Sequence, residues 1–484
     1  MKRAAAGAAS SLALVAALAS AFVAGCAAPA DLAPTHRPLE VAGSAGWPDL
    51  AREGTAWARW RDPVLTGLIE EALAAQPALR VAQLRVRLAA AAAEAAGAAR
   101  GPQVSASADL TQQRFTENGP YPPSLAGAVE WNNTAQVGAS WEWDLFGRHS
   151  AALAAAVGAQ RAAAAEAQAA SLLLAANIAA GYVQLARLVE QRRIGSAALA
   201  EREQVLAIVR QRVGAGLDSQ VDLRQAEGAV AQTRLEMAAA DEQIARARHA
   251  LAELAGKRAD ALEALAPELA PLAVQALPAG LPADLIGRRA DVVAQRWRVE
   301  AASREVNAAR AQFYPNINLV AFAGLASLGL DRFIEAGSRT YGIGPAVRLP
   351  IFDGGRLRAN LGAKATEADI AVETYNATLL RALREVADEV RSLAAIEAQQ
   401  REQEAALAAA EAAFDLATQR YRAGLGNFLV VLTAEGNVLA QRRGAADLKA
   451  RHLLAEVNLA RALGGGVTVD PPPRAVARAT TETR

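Results

Sequence analysis

Residues Gln211-Arg212 and Ala215-Gly216-Leu217 recur as Gln419-Arg420 and Ala423-Gly424-Leu425, and Ala226-Glu227-Gly228 recurs as Ala434-Glu435-Gly436, all at an offset of 208 residues. Leu251-Ala252 is answered by Leu459-Ala460, Gly256 by Gly464, Leu145-Phe146 by Ile351-Phe352, Val81-Ala82-Gln83 by Val293-Ala294-Gln295, and Pro102 by Pro315. Solenoids and propellers repeat every ~20–50 residues, so this much longer period marks a duplicated, domain-sized element. Any fold for the chain must use one piece twice.

The 20 prolines all fall outside two windows, 124–266 and 351–470, both rich in Ala, Leu, Glu, Gln and Arg. Proline breaks helices and these residue types favour them, so each window predicts a long helix, over 148–213 and 355–422. At 1.5 Å per residue such a helix is ~100 Å long, more than a globular domain can bury. Each ends in a glycine-containing break, 214–216 and 423–426, and a second helical run follows to about residues 255 and 463. Residues 63–97 and 288–312 read as the leading helices of the two copies, each ending at a proline before a strand.

The segments ahead of the long helices have period two. In 134–145, Ala135, Val137, Ala139, Trp141, Trp143 and Leu145 alternate with Thr134, Gln136, Gly138, Ser140, Glu142 and Asp144. Residues 103–111 alternate as well, and 117–130 between them reads as a loop. The second copy offers 316–327 and 340–351, with a shorter loop at 330–339. These are strands with one apolar and one polar face, long enough to cross a membrane as tilted strands of ~9–11 residues. Half-buried strands of a soluble sheet would alternate too. Four strands cannot close a barrel, and open edges are not tolerated in lipid, so several chains must contribute. Two chains would make eight strands with a filled interior, and three would make twelve with room for a passage. The predicted class is α+β and internally duplicated, with long helical hairpins and four strands per chain contributing to a trimeric 12-stranded transmembrane barrel.

Met1-Lys2-Arg3, an apolar run to about Ala24, and Val23-Ala24-Gly25-Cys26 read as a signal peptide over 1–25. Val-Ala-Gly-Cys resembles the bacterial lipobox, and Cys26 is the one cysteine of the 484 residues, so it has no disulfide partner within the chain. Acylation of Cys26 would hold the mature protein on a membrane. The segment 26–62 is then the lipidated N-terminal stretch, 63–256 the first repeat, 257–287 a proline-rich connector, 288–466 the second repeat, and 467–484 a disordered tail.

A formal net charge of +1 supplies no basic field for nucleic acid. His36, His149, His249 and His452 are scattered singly with no H-x-x-x-H spacing, two methionines supply few soft ligands, and the Gly342 and Gly464 clusters lack a phosphate-loop setting. No catalytic constellation emerges, and no cofactor is expected beyond acyl chains on Cys26.

Leu281-Pro282-Ala283-Asp284-Leu285-Ile286-Gly287-Arg288-Arg289-Ala290-Asp291-Val292, followed by Ala308-Ala309-Arg310-Ala311-Gln312-Phe313-Tyr314-Pro315, resembles the TolC-type outer-membrane factor family in its OprM- and NodT-like lipoprotein branch. The resemblance covers about residues 50–466 and the lipobox. It implies a homotrimer in the outer membrane, helices forming a hollow α-barrel across the periplasm, and passive efflux driven by an inner-membrane pump of RND type through a periplasmic adaptor. It places Gly216-Leu217 and Gly424-Leu425 at the periplasmic tips where adaptors dock. Leu429 falls where the family narrows through a leucine ring, although helix packing would also account for it. Thr433 stands at the family's aspartate position, with Glu435 two residues on. A protein-secretion conduit, or a lipid-anchored coiled-coil scaffold, are the rival readings. The scaffold leaves four alternating strands and the lack of sustained heptads without an account.

Overall fold

Proline and glycine divide the chain where its helices and strands change. In the computed structural model, which describes residues 32–39, 57, 60–274 and 289–465, the elements run α1 (Pro63–Ala75), α2 (Pro77–Ala98), β1 (Gln103–Arg114), β2 (Val129–Trp143), α3 (Arg148–Gly214), α4 (Gln220–Leu254), α5 (Ala290–Ala311), β3 (Asn316–Leu328), β4 (Arg339–Arg348), α6 (Arg356–Arg422) and α7 (Phe428–Ala462). The two long helices have 67 residues each and the two returning helices 35 each. The predicted leading helix 63–97 is two helices. Gln76 is held extended ahead of Pro77, whose ring and missing N–H stop α1, and Pro77 then opens α2. Strand β2 starts earlier than its alternation, and β4 stops three residues sooner than predicted, ahead of Pro350. Cys26, residues 1–25 and the tail 467–484 lie outside the described residues.

The described residues fold into two compact units, and each draws on both repeats: one takes 32–38, 86–163 and 295–375, the other 39, 57, 60–85, 164–274, 289–294 and 376–465. The first unit holds an antiparallel sheet of order β1-β2-β3-β4. Its register puts the predicted apolar positions in common rows. Val104, Ala139, Ala321 and Ile343 make one row, and Ala106, Val137, Ala323 and Tyr341 the next. The intervening rows are Ser107, Gln136, Gly324 and Thr340, and Ser105, Gly138, Phe322 and Gly342. Phe322, like Val320 and Leu328 further along β3, departs from polarity on that face. A Cβ on Gly342 would come within 2.7 Å of its ring, so the glycine makes room for it. Within the same unit Arg161 lies 4.5 Å over the Trp297 ring, and Gly158 lets α3 approach Ala301 of α5 closely.

The second unit is built on alanine-rich helix packing around Ile178, Val183, Leu185, Leu251 and Leu453, all nearly inaccessible. The first part of the connector joins this core through Leu262, Leu269 and Leu272. The returning helices end alike. Gly256 (φ 67°) and Gly464 (φ 85°) adopt the left-handed conformation that glycine allows. At the first, Gln76 Nε2 donates to the Glu253 and Leu254 carbonyls, 3.0 Å each. At the second, Arg289 Nη1 donates to the Ala462 carbonyl (3.1 Å) and to Glu385 (3.0 Å), while its other donors hold Asp291. Each copy therefore caps its returning helix with the residue just before the helix that leads into its first strand. Burial pushes the Asp291 carboxyl up, but the Arg289 guanidinium outweighs it and holds it below the usual range.

Candidate functional site at the hairpin turns

Both long helices close with the same backbone bonds. Ala215 N donates to Gln211 O (3.1 Å), Gly216 N to Val213 O (3.0 Å) and Leu217 N to Arg212 O (2.9 Å); Ala423, Gly424 and Leu425 donate to Gln419, Tyr421 and Arg420 at 3.0, 3.0 and 2.8 Å. Gly216 (φ 73°) and Gly424 (φ 75°) supply the left-handed residue this termination needs. The next helices start on side-chain caps. Ser219 and Asp222 form a capping box on α4, and Asn427 accepts from Val430 N on α7. The turns leave Leu217, Val221, Leu425, Leu429 and Val430 exposed. A surface of large apolar side chains on short rigid turns has the composition of a protein docking face.

Leu429 is 52% exposed within its own chain. Thr433, one turn on, is exposed and its hydroxyl donates to Leu429 O at 2.8 Å. Leu429 and Thr433 thus share one exposed stripe of α7. Glu435 does not: it is 6% exposed and paired with Arg202 of α3 at 3.0 Å. Arg202 also donates to Thr233 Oγ1 (2.7 Å) and the Ala229 carbonyl (3.0 Å) of α4. Burial pushes the Glu435 carboxyl above its ordinary value despite the guanidinium beside it. This ion pair locks α7 to the first hairpin and supplies no exposed acid.

A second cross-link joins the turns themselves. The Tyr421 hydroxyl donates to Asp218, and Arg212 bonds Asp218 at 2.9 Å while its guanidinium lies 4.7 Å over the Tyr421 ring. Phe428 tilts against Tyr421 with centroids 6.0 Å apart. Burial raises the Asp218 carboxyl, and the bonds from Arg212 and Tyr421 more than reverse this. Tyr421 itself is pushed far up by burial and by Asp218. Sequence reasoning missed this clasp. The available signal was divergence between the copies, because Asp218 aligns with Gly426 and Tyr421 with Val213.

At the β2–α3 junction Glu142 bonds Arg148 and lies 3.0 Å from His149 Nε2, while Asp144 caps α3 through His149 N (2.9 Å) and Ser150 N (2.7 Å). Three of the scattered histidines each face a glutamate: His36 with Glu373 at 2.7 Å, His149 with Glu142, and the buried His452 with Glu456 at 3.4 Å. Among the described residues no cluster of three metal-ligating side chains occurs.

An open-edged sheet with apolar rows across all four strands, in one chain with capped helical hairpins, has the features of a membrane-channel subunit. A family model for outer membrane efflux proteins matches the chain twice, over residues 68–257 and 281–465. The multidrug resistance outer membrane protein MdtP of Escherichia coli O6:H1 is 32% identical over 444 residues, 88% of each chain, and outer membrane protein OprJ of Pseudomonas aeruginosa is 33% identical over 452 residues, 90% of this chain and 93% of that one. The solved structure of the outer membrane protein VceC from Vibrio cholerae superimposes with a TM-score of 0.80 at 35% identity, covering 87% of this chain and 99% of that one. The chain belongs to the outer membrane efflux protein family and is an outer-membrane channel component of an efflux system. The family is one of transport channels.

Proposed function

We propose that three copies close a twelve-stranded barrel through β1 and β4, and that their helices line a passive exit duct joined by a periplasmic adaptor to an inner-membrane pump of RND type. The observation that supports this reading is the sheet: β1 and β4 each pair on one side only, and the apolar rows of Val104 and Ala106 cross all four strands. Lipid requires those edges to be satisfied by further strands, and eight would leave a filled interior. The exposed turns at Gly216-Leu217 and Gly424-Leu425 are the adaptor's docking surface. Leu429 narrows the duct by presenting three symmetry-related side chains, and Thr433 leaves that level without an acid. Cys26 carries the acyl chains, and the chain takes no other cofactor.

The cargo is small and organic, as the names of the multidrug and toluene efflux relatives say of those proteins. A water-filled duct selects little, so choice among substrates rests with the pump. Native mass spectrometry of detergent-extracted protein is the test: a trimer is expected, and a monomer or dimer with full conductance would refute closure by three chains. In cells, loss of the chain should raise sensitivity to small toxic organics while leaving protein secretion intact; the reverse outcome would favour a secretion conduit.

A further inference from the structure

The two copies differ in charge where their second strands pass into the long helices. In the first copy Glu142, near the end of β2, and Arg148, the first residue of α3, form an ion pair. At the offset of 206 that aligns Leu145-Phe146 with Ile351-Phe352, Glu142 becomes Arg348; at the offset of 208, Arg148 becomes Arg356, the first residue of α6. An acid and a base in one copy are two arginines in the other. Both arginines are exposed, and among the described residues neither has a carboxylate within ion-pair distance.

Arg348 and Arg356 line one cavity of about 420 Å³ within the first unit, together with Glu142, Arg148, Phe146 and Tyr314. The acids beside it are already committed. Glu142 accepts from Arg148 Nε at 3.0 Å and lies 3.0 Å from His149 Nε2, and Asp144 accepts from His149 N and Ser150 N. Asp353, three residues before Arg356, accepts from Gly355 N at 3.0 Å and Leu357 N at 2.8 Å. Two like charges in one cavity repel, and an anion between them removes that cost. Part of the wall is aromatic: Phe146 and Tyr314 stack with centroids 4.8 Å apart and planes 9° apart, and both remain exposed. Guanidinium groups take a carboxylate through parallel hydrogen bonds, and an exposed ring face takes another ring. The register sets Arg348 opposite Asn316, on the sheet face of Gln136 and Ser140 and not on that of Val104 and Ile343. A lipid would meet the other face, so the ligand is one carried in water.

We propose that this cavity binds aromatic carboxylates of one or two rings in transit, with Arg348 and Arg356 holding the carboxylate and Phe146 and Tyr314 holding the ring. This rests on the reading of the sheet's polar face as the wall of the duct. It adds a station for organic anions to a passage whose selection otherwise lies with the pump.

Isothermal titration of 1-naphthoate into the full-length protein in detergent is the test. Binding is expected, with the neutral 1-naphthamide at least tenfold weaker; equal affinity for the two would overturn the arginines as the carboxylate site. Inorganic phosphate binding as tightly as naphthoate would overturn the aromatic half. Arg348→Glu gives Arg356 the acid that Arg148 has in the first copy, a pair the fold already accommodates, and it should lower naphthoate affinity at least tenfold. Arg339→Gln, at the other end of β4 and on the apolar face, should leave affinity unchanged. Unchanged affinity in Arg348→Glu, or an equal loss in both variants, would overturn the site. The titration reads binding in whatever oligomeric state the protein adopts, so a failure of closure by three chains leaves it standing. In planar bilayers naphthoate should reduce the ion current of the wild type and leave that of Arg348→Glu unchanged. Block of both, or of neither, would remove the site from the duct.

Discussion

The first and second hairpin turns share their backbone to within tenths of an ångström in hydrogen-bond length and differ at several of the side chains around it. Both end on a left-handed glycine followed by leucine. Asp218 in the first turn is Gly426 in the second, and Val213 in the first helix is Tyr421 in the second. The same divergence appears further along the returning helices. Glu227 is partly exposed and held by Arg224 and Arg210, whereas its counterpart Glu435 is buried against Arg202. Duplication preserved what each turn needs in order to form, and divergence produced the contacts that tie one copy to the other. Asp218–Tyr421 and Arg202–Glu435 both join the first repeat to the second, and two identical repeats could not make the first of them, since Asp and Tyr each occur at those positions in one copy alone.

The largest effect should come from the buried lock. Arg202→Met leaves Glu435 charged and without its cation in the interior, which costs about 3–5 kcal/mol, while Glu227→Ala at the matching exposed position should cost under about 1 kcal/mol. Chemical denaturation followed by helix content checks both. Equal costs would break the comparison. Acid sharpens it, because the two carboxyls shift in opposite directions. The Asp218 value is depressed below the ordinary 3.8, so its contribution is full above that value and is lost as pH falls through the folded-state value. The Glu435 value is raised above 4.5, so its contribution is full below 4.5 and is lost as pH rises through the folded-state value. Asp218→Asn and Glu435→Gln should each remove one of these slopes from the pH dependence of unfolding.

Next in size is the clasp. Tyr421→Phe removes a hydrogen bond to a charged group, about 1.5–3 kcal/mol, and should raise single-channel conductance in planar bilayers. Gly426→Asp is the converse, since a Cβ there meets only ordinary contacts at 3.6–3.8 Å, and it gives Arg420 the partner that Arg212 already has. Conductance should fall. Replacing Gly216 or Gly424 with valine forces a β-branched residue into the left-handed region, costs about 1–2 kcal/mol, and should weaken adaptor cross-linking with barrel insertion intact. Normal cross-linking in both variants would separate the turns from docking.

The smallest stability change should follow Leu429→Ala, within about 0.5 kcal/mol because the side chain is half exposed. Its readout is conductance, which should rise, and Thr433→Asp should add cation selectivity and sensitivity to divalent ions. Unchanged conductance for Leu429→Ala would move the constriction elsewhere, and Thr433 with it.

The long helices were legible to within a residue at most ends, because proline exclusion and terminal glycines act locally. The break at Pro77 was legible in principle from the same rule. The sheet faces were legible because alternation is a property of a single strand. The clasp was not, since Asp218 and Tyr421 are 203 residues apart and each reads alone as an ordinary turn or helix residue. That Glu435, two residues from Thr433, is buried was not legible either, because helical spacing places a residue on a face without saying what covers that face. The histidines read as isolated for the same reason: His36 and Glu373 are 337 residues apart.

By itself the sequence determined the duplication, the element types, the turn chemistry and the polarity of each strand face, all of which depend on residues within a few positions of one another. Tertiary structure alone decided which copy pairs with which. It buried Glu435 against Arg202 and clasped Asp218 to Tyr421. Those choices depend on burial and on distances between segments hundreds of residues apart, and no local periodicity encodes them.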